Sequence, residues 1–169
     1  MVKEKPRQYK AELESFKSFT HRVRDLVQYT EDEMLRINNL ALQLVGEMKR
    51  CNDAGCYYAG VVLAGSVLEG ILSTFITRVF DKSTENMKFE DIIDYAKSKM
   101  SPEWDVFAKK AHDVRKFRNN VHIDKMADYG VSDISKYVTK EKFLMIKNDT
   151  REVVHSILDY WDRHPELPR

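Results

Sequence analysis

Arg115, Arg118, Asn119 and His122 crowd into eight positions of this 169-residue chain, and a lone acid, Glu69, sits inside its most apolar stretch. On a helix, Arg118 and His122 are four residues apart and share a face. Arg115 and His122 differ by about 20° in angle, so the three basic side chains span a sector of roughly 60°, with Asn119 at its flank. Guanidinium forks match phosphate oxygens in pairs. An imidazole suits acid and base work near neutral pH. Such a set is enough for metal-free RNA cleavage: one group assists a ribose 2′-hydroxyl in attacking the adjacent phosphorus, while the arginines stabilise the developing charge. The same residue types at a helix end also suit a purely structural role, as an Arg–Glu pair with a histidine nearby.

Glu69 and Arg118 are the two residues that break the apolar pattern of their helices. Arg118 falls where the stripe Trp104, Phe107, Ala111, Val114, Val121 calls for an apolar side chain. A buried charge without a partner is costly. The expectation is that the two meet as an ion pair across packed helices.

The elements that must hold these residues are helices. A first has Tyr9, Leu13, Phe16, Phe19, Val23 and Leu26 on one face. Thr30 and Glu33 form a capping box before a second, with Met34, Ile37, Leu40 or Ala41, Leu44 and Met48 inward. The run Asn52-Asp53-Ala54-Gly55 marks a break, and a central helix is expected from about Ala54 to Phe80. A shorter helix carries Phe89, Ile92, Ile93, Ala96 and Met100. Ser101 as N-cap and Pro102 at the first helical position are expected to start the helix that carries the basic cluster. Asp124 to Val138 reads as an ordered loop or a short helical turn. Thr139 to about Arg163 closes the chain, with Phe143, Ile146, Val153, Ile157 and Trp161 inward, stopped by Pro165. Nothing alternates with period two long enough to need a strand. The reading is an all-α chain, a single domain over residues 1–169 with its motif-bearing core at 54–124.

Composition narrows the function classes. Lys+Arg 28 against Asp+Glu 27 leaves a net charge of +1, which disfavours a surface-wide nucleic-acid groove and a helical DNA-binding regulator. Gly 6 and Pro 4 are too few for a sandwich or barrel. Cys51 and Cys56 lack the further ligands that a zinc site needs, and read as two small residues near a helix start, neither metal-bound nor disulfide-linked. Ala54 to Thr77 holds only Glu69 as a charge, but its glycines, serines and mid-span carboxylate point to a buried bundle helix rather than a membrane span. The charged N-terminus has no apolar stretch behind it, so a cytoplasmic location is expected. His21, His112, His155 and His164 read as surface or edge histidines. Lys109 and Lys110 read as a solvated face, and Trp104, Phe107 and Phe117 as core. The regular glycines from Gly55 to Gly70 read as places of close helix contact. No cofactor and no metal are expected.

The segment Val114-Arg115-Lys116-Phe117-Arg118-Asn119-Asn120-Val121-His122 resembles the Arg-Asn…His motif of the HEPN superfamily. Upstream, Ala59-Gly60-Val61-Val62-Leu63-Ala64-Gly65-Ser66-Val67-Leu68-Glu69-Gly70-Ile71-Leu72 resembles the helix that carries an acidic residue in the same families. The likeness is strongest to small DUF4145-like bacterial proteins. It implies an up-and-down helical bundle, here of five to six helices, that often forms a homodimer. Catalytic members are metal-independent endoribonucleases of toxin or phage-defence type, which implies an RNA substrate and an antitoxin or defence protein as partner. In that reading His122 is the general acid or base, Arg118 and Arg115 hold the scissile phosphate, Asn119 orients and Glu69 supports from behind. The alternative that the resemblance carries is a non-catalytic module that binds RNA, a nucleotide or another protein, with a structural Glu–Arg pair. The chain departs from the family spacing: three residues separate Arg118 from His122, and Arg115, separated from His122 by six residues, is followed by Lys116. Which arginine fills the motif position is therefore open.

Overall fold

The computed structural model describes residues 32–121, 126, 130 and 133–164. The chain is a bundle of α-helices, and no strand occurs among the described residues. The helix expected over Tyr9 to Leu26, the Thr30 cap, the inward side chains Met34, Ile37, Leu40 and Ala41, and Pro165 all lie outside the described residues or side chains.

The first described helix, α1, runs from Asp32 to Ala54, through the Asn52-Asp53-Ala54 segment where a break is expected. It stops one residue later, because Gly55 takes a left-handed conformation at φ 73°. The Gly55 N–H then reaches the Asn52 carbonyl at 3.3 Å, and the Cys56 N–H reaches the Cys51 carbonyl at 2.8 Å. These two bonds are those of a Schellman turn, which satisfies carbonyls left open at a helix C-terminus. Helix α2 follows at once, over Tyr57–Phe80, and ends at Asp81 in the left-handed region. Its start therefore lies three residues beyond the expected Ala54.

Helix α2 packs against every other long helix described, which accounts for its apolar composition. It is long and apolar enough to cross a bilayer by length and composition, yet 61% of its most apolar stretch is buried inside the bundle. Leu68, Ile71, Leu72, Phe75 and Ile76 form the centre of the core.

Helix α3 spans Phe89–Met100 and presents Phe89, Ile92, Ile93, Ala96 and Met100 to that core, as their spacing predicts. The Asp91 carboxylate accepts from the Lys88 N–H at 3.3 Å, closing its N-terminus. Ser101 is the C-cap of α3, its N–H bonded to the Lys97 carbonyl. This corrects the expectation that Ser101 opens the next helix. A residue before proline is pushed out of the helical region, and Ser101 is extended at φ −66°, ψ 152°. Helix α4 therefore begins later and spans Asp105–Asn120, with Trp104 as N-cap. Ala108, Ala111 and Val114 form its buried stripe, while Phe107, expected inward, is only half-buried.

A single turn, α5, covers Ile134–Tyr137 within the stretch read as a loop or short helix. Helix α6 covers Lys140–Arg163, and the Thr139 hydroxyl accepts from the Lys142 N–H as its cap. Phe143, Ile146, Val153, Ile157 and Trp161 all point inward, as expected. Between α4 and α6 the Trp104 Nε1–H donates to the Ser156 hydroxyl at 2.8 Å, and that hydroxyl donates to the Val153 carbonyl at 2.6 Å. A buried indole N–H needs such a partner. The close approach of α6 to α2 depends on Gly60, where a Cβ would overlap the Phe143 ring.

Candidate functional site

The expected ion pair is present. Arg118 Nη2 on α4 lies 3.2 Å from Glu69 Oε2 on α2. One turn before Glu69, Gly65 lets the Arg118 stem lie directly on the α2 backbone. A Cβ at Gly65 would stand 2.7 Å from Arg118 Cδ, 2.9 Å from Cγ and 3.1 Å from Cβ. A bare backbone patch under an alkyl stem is what carries the guanidinium to the carboxylate. The pair is not deeply buried: the Arg118 and Glu69 side chains keep 26% and 32% of their surface in solvent. Water thus reaches both charges, and an exposed pair of this kind contributes about 0.2–1 kcal/mol.

Arg115 is held elsewhere. Its Nη1 lies 3.2 Å from Glu90 Oε2, in the first turn of α3, and its side chain is only 15% exposed. Arg115 Nε is buried, with no hydrogen-bond partner among the described residues. The two guanidiniums are therefore bound to acids on two different helices. Glu90 is a partner that spacing alone does not reveal, since a first-turn acid is adequately explained by the helix dipole.

Asn119 is exposed next to Arg118. His122 lies outside the described residues. Helix α4 ends at Asn120, with the Val121 N–H bonded to the Phe117 and Arg118 carbonyls as its cap. The expectation that His122 shares a face with Arg118 therefore falls outside the described residues.

The end of α4 is firmly anchored. Phe117, expected in the core, is half-buried and stacks on Tyr137, with ring centroids 6.0 Å apart and planes 4° from parallel. Lys142 Nζ sits 4.8 Å from the Tyr137 ring centroid and donates to the Tyr137 carbonyl at 2.9 Å. The start of α6 is thereby tied to the end of α4.

Another basic residue, Lys110, differs from its expected role. Lys110 is engaged by Glu152 and by Asp149, the latter at 3.3 Å, so it links α4 to α6 rather than forming a solvated face. The bond to Glu152, more than any other influence, holds the Lys110 ammonium above its ordinary pKa. Lys109 beside it is exposed. His112 Nε2 lies 3.1 Å from Asp94 Oδ1, joining α4 to α3.

Two open cavities, of about 440 and 390 Å³, lie between α4 and α6 and share Phe107, Ser156 and Asp159 in their walls. Neither is lined by Arg115, Arg118 or Asn119. Arg118 meets Glu69 on an open edge of the bundle, with both side chains partly in solvent. Among the described residues, no three His, Cys, Asp or Glu side chains converge as metal ligands. Comparison of the chain with protein-family models, with curated proteins and with solved structures finds no match.

Proposed function

We propose that this chain is a HEPN-like helical module that binds a phosphate of RNA or of a nucleotide at the α2–α4 edge, without cutting it. Arg118 is the anion contact, Asn119 orients the ligand and Glu69 is the counter-ion that a phosphate displaces. Arg115, tied to Glu90, holds α4 against α3. The observation that carries this reading is the open Glu69–Arg118 pair, whose arginine stem lies on a glycine notch while a quarter of the side chain stays in water. A resting pair of this sort positions a guanidinium without burying it, and a phosphate offers the same fork geometry as the carboxylate.

Anisotropy with labelled RNA and with a labelled nucleotide tests it. Glu69→Gln releases Arg118 and should tighten binding a few-fold, whereas Arg118→Ala should weaken it at least about tenfold, the cost of one charge-assisted contact. A purely structural pair gives the opposite pattern for Glu69→Gln: a lower melting temperature and no gain in affinity.

A second reading, metal-independent cleavage, is favoured by one feature. Helix α4 ends at Asn120, short of His122, so the three-residue spacing that departs from the family pattern need not be read as a helical turn. In that reading His122 is the general acid or base. Wild type should then cut labelled RNA in EDTA, and His122→Ala should abolish cutting while keeping the affinity. Absence of cutting by wild type that binds RNA supports the module.

A further inference from the structure

The Schellman turn that ends α1 does more than close a helix. It places Cys51 and Cys56 at the two positions, three residues inside and two beyond the helix end, whose side chains this motif brings into contact. Usually an apolar pair fills them; here both are thiols. The 2.8 Å bond from the Cys56 N–H to the Cys51 carbonyl, with fixed bond lengths on either side, holds the two Cα atoms within roughly 6.7 Å. Disulfides span Cα separations of roughly 4.4–6.8 Å. Gly55 supplies the left-handed residue that the turn requires, at φ 73°. The Cys56 sulfur lies back over the turn, 3.9 Å from the Ala54 carbonyl. Cys56 is exposed and Cys51 half-buried, and both are free thiols. Burial, with the neighbouring Cys56 thiol adding to it, pushes the Cys51 thiol above its ordinary pKa.

We propose that Cys51 and Cys56 form a reversible disulfide across the α1–α2 corner, closed by exchange with a small disulfide such as oxidised glutathione. The exposed Cys56 thiolate attacks one sulfur of the oxidised glutathione; its S–S bond breaks and one glutathione thiolate leaves. The Cys51 thiolate then attacks Cys56 Sγ, the Cys51–Cys56 bond forms and the second glutathione thiolate leaves. The two thiol protons pass through solvent to the two departing thiolates. Two electrons have moved from the cysteine pair to the glutathione disulfide. The product staples the last turn of α1 to the residue that precedes α2. This inference is independent of the phosphate site.

The test uses the full chain, equilibrated in glutathione buffers of increasing oxidation, with intact mass and alkylation of free thiols as readouts. Wild type should lose two hydrogens, with neither cysteine open to alkylation. Under the same buffer, Cys51→Ser should hold a persistent glutathione adduct on Cys56. In wild type that adduct should be at least roughly tenfold rarer, because the second thiol resolves it. Phenylarsine oxide, which needs two adjacent thiols, should bind one per reduced wild-type chain and fail to bind Cys51→Ser or Cys56→Ser. The proposal is overturned if wild type accumulates the adduct as Cys51→Ser does, if chains link pairwise through Cys56, or if the arsenical does not distinguish wild type from the variants.

Discussion

Gly65 and Arg118 form one unit, and the consequence can be read at both residues. Removing the α2 side chain at position 65 gives the Arg118 stem a surface to lie on, and the guanidinium arrives at Glu69 with little freedom left to lose. An added methyl at Gly65 meets the Arg118 stem near its root, where the chain has little room to give. Gly65→Ala should therefore lower stability by about 1–3 kcal/mol, the usual cost of overpacking. It should also displace Arg118 and reduce phosphate affinity. Gly70, on the same helix, has nothing among the described residues within 4 Å of such a methyl. Gly70→Ala should be neutral or stabilise by up to about 1 kcal/mol, through helix propensity alone. Paired chemical denaturation curves check the contrast: equal effects at the two glycines would remove the notch from the account.

At the level of elements, helix faces are legible, and so are the end of α2 at Phe80 and both ends of α6, while the α1–α2 junction and the start of α4 are not. The inward residues of α3 and α6 follow from three-and-four spacing because burial of a stripe is a repeated signal. Serine before proline fits both the end of one helix and the start of the next, and the extended backbone at Ser101 makes it the end of α3. The Glu69–Arg118 pair was legible because each charge interrupts an apolar pattern. Glu90 and the partners of Lys110 were not, since acids on a half-exposed face interrupt nothing. Lys110 illustrates what such a link contributes. Its bond to Glu152, with Asp149 nearby, raises its folded pKa above the unfolded value. That contribution is full below the ordinary lysine range and is lost as pH rises through the raised value. Thermal melts between about pH 9 and 12 should show this loss in wild type, and Lys110→Met should lack that component.

For the whole molecule, a net charge of +1 sets the scale of any nucleic-acid binding. Several cations described here are already matched with acids, among them Arg115 by Glu90, Lys110 by Glu152 and Arg163 by Glu103. Binding through Arg118 and its immediate surroundings releases few counterions. A plot of log affinity for single-stranded RNA against log salt should have a slope no steeper than roughly −2. A much steeper slope would point to a phosphate track elsewhere on the surface, and away from the α2–α4 edge.

The two notches in α2 have a mechanical outcome. Gly60 receives the Phe143 ring of α6 and Gly65 receives the Arg118 stem of α4, so both neighbours are keyed to the central rod at fixed heights. Moving either by one turn would drive a ring or an alkyl chain into a residue that has a Cβ, and packed interiors do not deform continuously to allow it. Piston-like travel of these rods is thereby barred. On the proposed reading, a phosphate arriving at Arg118 needs only an exchange of partners at one side chain, while the scaffold beneath keeps its register.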